Sequence, residues 1–269
     1  MHSFVSRSTR SARPRAVAAA LLALLGPACV VPQGRPHVDA TVAAASAHVF
    51  RGTPRVDALV IQPEIAVSVP DLSGGSWYGS LFANVNGTDD SGNAVFRDGR
   101  GGEVTESDFI AGYTHPIGPI DISLEMVNYN FPNSALRGTT EAALGITAPD
   151  LPLHPTLAAY YDIDEVEGLY LNASISEAFE VRSNVALSFD LSLGWMDKDQ
   201  AAAYVGVAES GLADLVLSAR GDWFFYRRNS LWGSLSMIRM LDQDYDDAFA
   251  TRGFDDSMMV VAIGTTWRL

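Results

Sequence analysis

From Val38 onward the chain is a succession of segments about nine to thirteen residues long, rich in Val, Ile, Leu, Tyr, Phe and Trp and separated by turns carrying Gly, Pro, Asn and Asp. The clearest is Asn184 to Trp195, where Val185, Leu187, Phe189, Leu191, Leu193 and Trp195 alternate with Asn184, Ala186, Ser188, Asp190, Ser192 and Gly194. A period of two places all the apolar side chains on one face of a strand. Ile120 to Asn130 repeats the pattern, with Asp121 and Glu125 on its polar face, until the phase blurs at Val127. Noisier segments of the same kind are Val38–Phe50, Leu59–Val69, Trp77–Asn86, Glu103–Tyr113, Thr139–Thr147, Thr156–Asp162, Gly168–Ser176, Ala201–Ala208, Ala213–Phe225, Leu231–Met240 and Ser257–Leu269. Pro63 interrupts the second of these and removes a ladder donor, which predicts a bulge there.

These segments are long for a β-sandwich, whose strands average about five or six residues, and match the roughly nine to eleven needed to cross a bilayer at a tilt. The connections alternate too: Pro116-Ile117-Gly118-Pro119 and Glu209-Ser210-Gly211 are tight, while Gly87–Gly102 and Asp242–Asp256 are long and polar. Short turns at one rim and long loops at the other predict a single antiparallel up-and-down transmembrane barrel over residues 37–269. Thirteen segments with an even strand number required give about 12 strands, with 14 the next choice.

The N-terminus changes where such a barrel would sit. Arg7, Arg10, Arg13 and Arg15 precede the apolar run Ala16 to Leu25, and Gly26-Pro27-Ala28 follows, the three zones of an export signal over residues 1–28. The run is too short to span a membrane as a helix. Cys29, the single cysteine, stands where a lipid-acceptor cysteine would stand, although ordinary cleavage after Ala28 fits the residues equally. Residues 29–36 read as a short tether. The predicted location is the bacterial outer membrane, with outer-membrane lipid and the barrel-assembly machinery as partners.

Composition adds a sign. The whole chain carries a net charge of −14 and a single lysine, Lys198, which argues against nucleic acid as a partner. With the apolar faces outward, Glu64, Asn84, Asp121, Glu125, Glu141, Asp162, Asp190, Asp214, Arg220 and Asp222 turn toward the lumen. An acidic lumen between low-dielectric walls concentrates cations, so the expected function is passive passage of small hydrophilic, cationic solutes. The competing expectation is that these acids pair with Arg51, Arg220 and Arg268 and fill the bore, leaving a closed barrel that serves as a surface structural or binding protein. A barrel enzyme, a hydrolase or acyltransferase, ranks third. His37, His48, His115 and His154 are isolated, and no nucleophile elbow, zinc spacing or phosphate loop is present. No catalytic residue, metal or cofactor is expected, and the cluster Asp242, Asp244, Asp246 and Asp247 reads as a solvated loop rather than a calcium site. Trp77, Trp195, Trp223, Trp232 and Trp267 lie near segment ends, where an interfacial aromatic girdle belongs.

Two terminal motifs sharpen this. Gly264, Trp267 and Leu269, on the final strand, resemble the C-terminal assembly signal of outer-membrane barrels. Ser46-Ala47-His48-Val49-Phe50-Arg51-Gly52, followed by Gln62-Pro63-Glu64, resembles the first hairpin of the TorF-like family of porins, with Phe50, Arg51, Gly52 and Gln62 carrying the likeness. In that family an aromatic-Arg-Gly closes the first strand and a Gln opens the second, and the likeness spans about 30 residues. It implies a barrel of about twelve strands and a pore.

Overall fold

A computed structural model describes residues 35–90, 92, 95, 100–134, 136–226 and 229–269. The export signal and Cys29 lie outside the described residues, as does most of the tether. Twelve strands close into an antiparallel barrel in chain order: β1 (His37–Ala45), β4 (Val60–Pro70), β5 (Ser76–Asn86), β6 (Val104–Ile117), β7 (Ile120–Asn130), β8 (Thr139–Thr147), β9 (Thr156–Asp162), β10 (Leu169–Arg182), β11 (Val185–Met196), β12 (Gly211–Tyr226), β13 (Asn229–Met240) and β14 (Ser257–Arg268). β1 pairs with β14, Ala43 opposite Gly264, which removes every sheet edge. Two further short strands, β2 (His48–Phe50) and β3 (Thr53–Val56), form a separate two-stranded sheet.

Alternation decides the faces. Leu81 (55% exposed), Phe109 (52%), Leu157 (63%) and Met259 (65%) all look outward from the barrel, with similar residues on every wall strand. An apolar belt of that extent has no aqueous explanation and makes the exterior a lipid surface. The opposite positions carry Ser, Thr, Gly, Ala and acids, as at Ser174, Ser192, Ser218 and Ser236.

Four sequence expectations are corrected. Ala201–Ala208 is not a strand: Asp197 accepts a hydrogen bond from the Gln200 backbone at 2.8 Å and caps helix α1 (Lys198–Tyr204), in which three consecutive alanines favour the helix. Glu209-Ser210-Gly211 is therefore the end of a long connection rather than a tight turn. Pro63 causes no bulge, because Ile61 faces Val85 and Glu64 faces Phe82 in one continuous register, with pairing to β5 lapsing only where the donor is missing. The segment Val38–Phe50 breaks at Ala45, so Phe50-Arg51-Gly52 does not close the first strand but forms the turn between β2 and β3.

The connections β4–β5, β6–β7 and β10–β11 are short and share a rim with both ends of the barrel chain. The opposite rim carries the β2–β3 hairpin, α1 and a second helix, α2 (Gln243–Arg252). Asp242 caps α2, accepting from the Asp244 backbone, and Asp244 and Asp246 complement its N-terminal dipole. Gly253, at φ +78, ends it in the left-handed conformation that glycine adopts without strain. The acidic cluster of this loop thus has a helix-starting role.

Candidate functional site: the lumen and its plug

Toward β10–β13 the long-loop rim is filled. Met196, Tyr204, Val205, Met240, Tyr245, Phe249 and Phe254 pack with Tyr170 into an apolar cluster that joins both helices to the inner wall. Burial holds the Asp246 carboxyl above its usual range, with Asp256 and Asp247 adding like charge, and raises the Tyr245 phenol to about 12. At the short-turn rim Asp71 is held below the usual range, chiefly because the Tyr113 hydroxyl donates to it, with Ser73 donating as well.

Hairpin β2–β3 crosses the bore beside these helices, its Phe50 ring 5.7 Å from that of Tyr204 on α1. Arg51 stands at φ +48 and Gly52 at φ +75, a turn that throws the Arg51 side chain across the lumen. Its guanidinium donates in parallel to both Glu141 carboxylate oxygens, each at 2.7 Å. It also lies 4.3 Å from the Tyr170 ring centre, 5.0 Å from Tyr160 and 4.7 Å from Phe50. The Tyr129 hydroxyl donates to Glu141 at 3.1 Å, so this fully buried carboxylate is satisfied on both oxygens. On the facing wall His48 meets Glu106 at 2.8 Å and Gln62 at 3.2 Å, while Gln62 donates to Asn84 and Asn84 to Thr105. Gly52 sits where an added Cβ would come within 2.9 Å of Asp214 and 3.1 Å of Met240. The hairpin therefore bridges from β4 and β6 to β8, β9, β10, β12 and β13.

The residues singled out from sequence divide between plug and bore. Glu141 pairs with Arg51. Asp162 is buried, accepting from Thr139 and from the Asp164 and Val166 backbone. Asp214 is buried and accepts from the Tyr170 hydroxyl at 3.0 Å. Arg220 and Asp222 pair with each other at 2.7 and 2.8 Å, and the Arg220 guanidinium covers Trp232 at 4.1 Å. Trp232 is 8% exposed and faces inward, so it does not belong to an aromatic girdle. Arg268 pairs with Asp39 at 2.9 and 3.0 Å.

Glu64, Asp121, Glu125 and Asp190 have no cationic partner among the described residues. Glu64 and Glu125 line a cavity of about 290 Å³ with Asp39, Ser68, Tyr78 and Ser80, where Glu125 accepts from the Tyr78 hydroxyl at 3.0 Å. A larger cavity of about 860 Å³ opens at the short-turn rim between Glu180, Arg182, Phe224, Tyr226 and Arg268. The bore is thus corked by loops at one end and is polar, roomy and acidic toward the other.

The competing expectation named Arg51, Arg220 and Arg268 as partners of acids in the bore, and each has one. Sequence patterning missed the hairpin and helices that build the plug because their apolar side chains alternate like lipid-facing ones. One signal was present: Arg51 and Arg55 stand four residues apart, among apolar residues, in a chain otherwise poor in cations. Gly264, Trp267 and Leu269 lie at the closing seam, with Gly264 paired to both Ala43 and Trp232.

No protein-family model and no curated protein sequence matches the chain. Among solved structures it is similar to the NanC porin, at 10% identity over 86% of this chain and 100% of that one, with a TM-score of 0.53. It is also similar to an outer-membrane channel from Pseudomonas putida F1, at 9% identity over 90% of this chain and 99% of that one, again with a TM-score of 0.53. At these identities the likeness is one of fold, an antiparallel barrel of the kind that spans outer membranes.

Proposed function

We propose that the chain is an outer-membrane porin-like barrel that passes small hydrophilic solutes with a preference for cations. The observation that carries this reading is the unneutralised set Glu64, Asp121, Glu125 and Asp190 in a polar bore wrapped by a continuous apolar belt. Carboxylates in a narrow space between low-dielectric walls raise the local cation concentration and exclude anions. Two solved barrels of like fold, NanC and the Pseudomonas putida F1 protein, are a porin and a channel, which supports the same class. In this reading residues 1–28 direct export, residues 29–36 tether the barrel, Cys29 is the acceptor if the chain is lipidated, and Gly264, Trp267 and Leu269 present the final strand to the assembly machinery. The residues Phe50, Arg51, Gly52 and Gln62 resemble the first hairpin of the TorF-like porins, a likeness of sequence that supports the same reading.

A second reading, a closed barrel acting as a structural or binding protein at the cell surface, is favoured by one observation, the hairpin seated across the bore. Uptake into proteoliposomes separates the two. The porin reading expects a small organic cation to enter several-fold faster than an anion of equal size, with the difference lost in Glu64→Gln/Glu125→Gln. Empty-vesicle rates for both solutes would favour the closed barrel.

A further inference from the structure

The bore is acidic and open toward one rim and crossed by a hairpin near the other, and the chemistry of that hairpin's seat differs from that of the helical cork beside it. The helices are held by apolar burial among Tyr204, Val205, Tyr245 and Phe249, which water opposes releasing. The hairpin combines apolar packing, Phe50 against Tyr129 and Tyr204 and Val56 beside Ala45 and Val60, with polar groups that water can replace: Arg51 on Glu141, and His48 on Glu106 and Gln62. Buried ion pairs contribute little net stability against the hydrated state, because desolvation offsets most of the attraction. The seat also leaves polar atoms dry, since Thr53 Oγ1 and Asp108 Oδ1 are buried without a hydrogen-bond partner and would regain one on hydration. The Arg51 backbone is in the left-handed region, a conformation that a non-glycine residue adopts at some cost. The hairpin leaves the wall after Ala45 and rejoins it at Val60, with Asp57 and Leu59 exposed, so it can move without breaking any pairing of the barrel.

We infer that hairpin β2–β3 is a displaceable gate, latched by Arg51 on Glu141, and that withdrawing it opens the acidic bore. This rests on the porin reading and adds its regulation: the resting barrel is closed, and whatever competes for the latch, whether an anionic group for Arg51 or a cationic solute for Glu141, opens it. The latch is specific because the fork of Arg51 fits the carboxylate in two parallel hydrogen bonds, which neither a lysine nor a glutamine at these positions reproduces.

Single-channel recording of the full chain in planar bilayers tests this with wild type, Glu141→Gln, Arg51→Ala and a variant whose residues 48–56 are replaced by a Gly/Ser linker. An exposed-pair control, Arg137→Ala, accompanies them. The gate predicts brief, rare openings in wild type and the control, at least a ten-fold higher open fraction in Glu141→Gln and Arg51→Ala, and a constantly open linker variant. Circular dichroism checks that each has folded. If a point variant does not fold, the linker variant, which leaves the wall untouched, decides. Equal and appreciable conductance in all chains would overturn the gate and leave the porin standing. Folded but silent chains throughout, linker variant included, would overturn both.

Discussion

Gly264→Val is expected to prevent barrel closure. Gly264 is the point where the last strand meets the first, facing Ala43 on β1 and Trp232 on β13. A Cβ added there would lie 2.3 Å from the Trp232 ring and 2.8 Å from the Val42 carbonyl oxygen. The indole cannot simply swing aside. Arg220 stacks on it at 4.1 Å and its Nε1 donates to Thr266 at 3.3 Å. Val42 is backbone at the closing seam and has no rotamer to change. Overpacking of this kind costs about 1–3 kcal/mol where side chains alone give way, and more where backbone must. We expect loss of at least 3 kcal/mol, of the order that unfolds marginal proteins. Refolding yield in detergent, read by circular dichroism, checks it. Trp232→Ala in the same chain should restore part of the yield, and a fully folded Gly264→Val would mean that the seam is looser than described.

Arginine should be tolerated or rejected by face rather than by position along the chain. Leu81 and Ser80 are neighbours in the middle of β5, the first 55% exposed on the outer face and the second lining the acidic cavity. Leu81→Arg is expected to cost about 2–4 kcal/mol of folding stability in lipid, the depth-dependent cost of a cation at mid-bilayer. Ser80→Arg places the same charge beside Glu64 and Glu125 and should be near neutral. Urea titrations of both variants refolded into vesicles make the comparison, and equal losses would contradict the assignment of faces.

The wall of the barrel was legible in the sequence because a strand that separates lipid from water must alternate. Asn184 to Trp195 and Ile120 to Asn130 show the two faces directly, and the expectation of about 12 strands holds because every wall strand obeys that rule. What lies inside the bore obeys no such rule. Ala201–Ala208 looked like a strand because Tyr204, Val205 and Val207 are apolar, yet their apolar partners are Met196, Tyr170 and Met240 across the lumen. Local sequence does not distinguish burial against lipid from burial against an inner wall. The plug is likewise a matter of long-range pairing: Arg51 finds Glu141 ninety residues away, a contact without periodicity. The acids were legible as a group, but which of them Arg51, Arg220 and Arg268 neutralise depends on register and on where the hairpin folds. That partition leaves Glu64, Asp121, Glu125 and Asp190 as the acids on which the proposed cation preference rests.

The central claim, an acidic bore that favours cations, is tested most directly by the reversal potential of the purified protein in a planar bilayer under a KCl gradient. The account predicts discrete openings whose current reverses near the potassium equilibrium potential, moving toward zero in Glu64→Gln/Glu125→Gln. Reversal on the chloride side, with the chain folded and conducting, would contradict it.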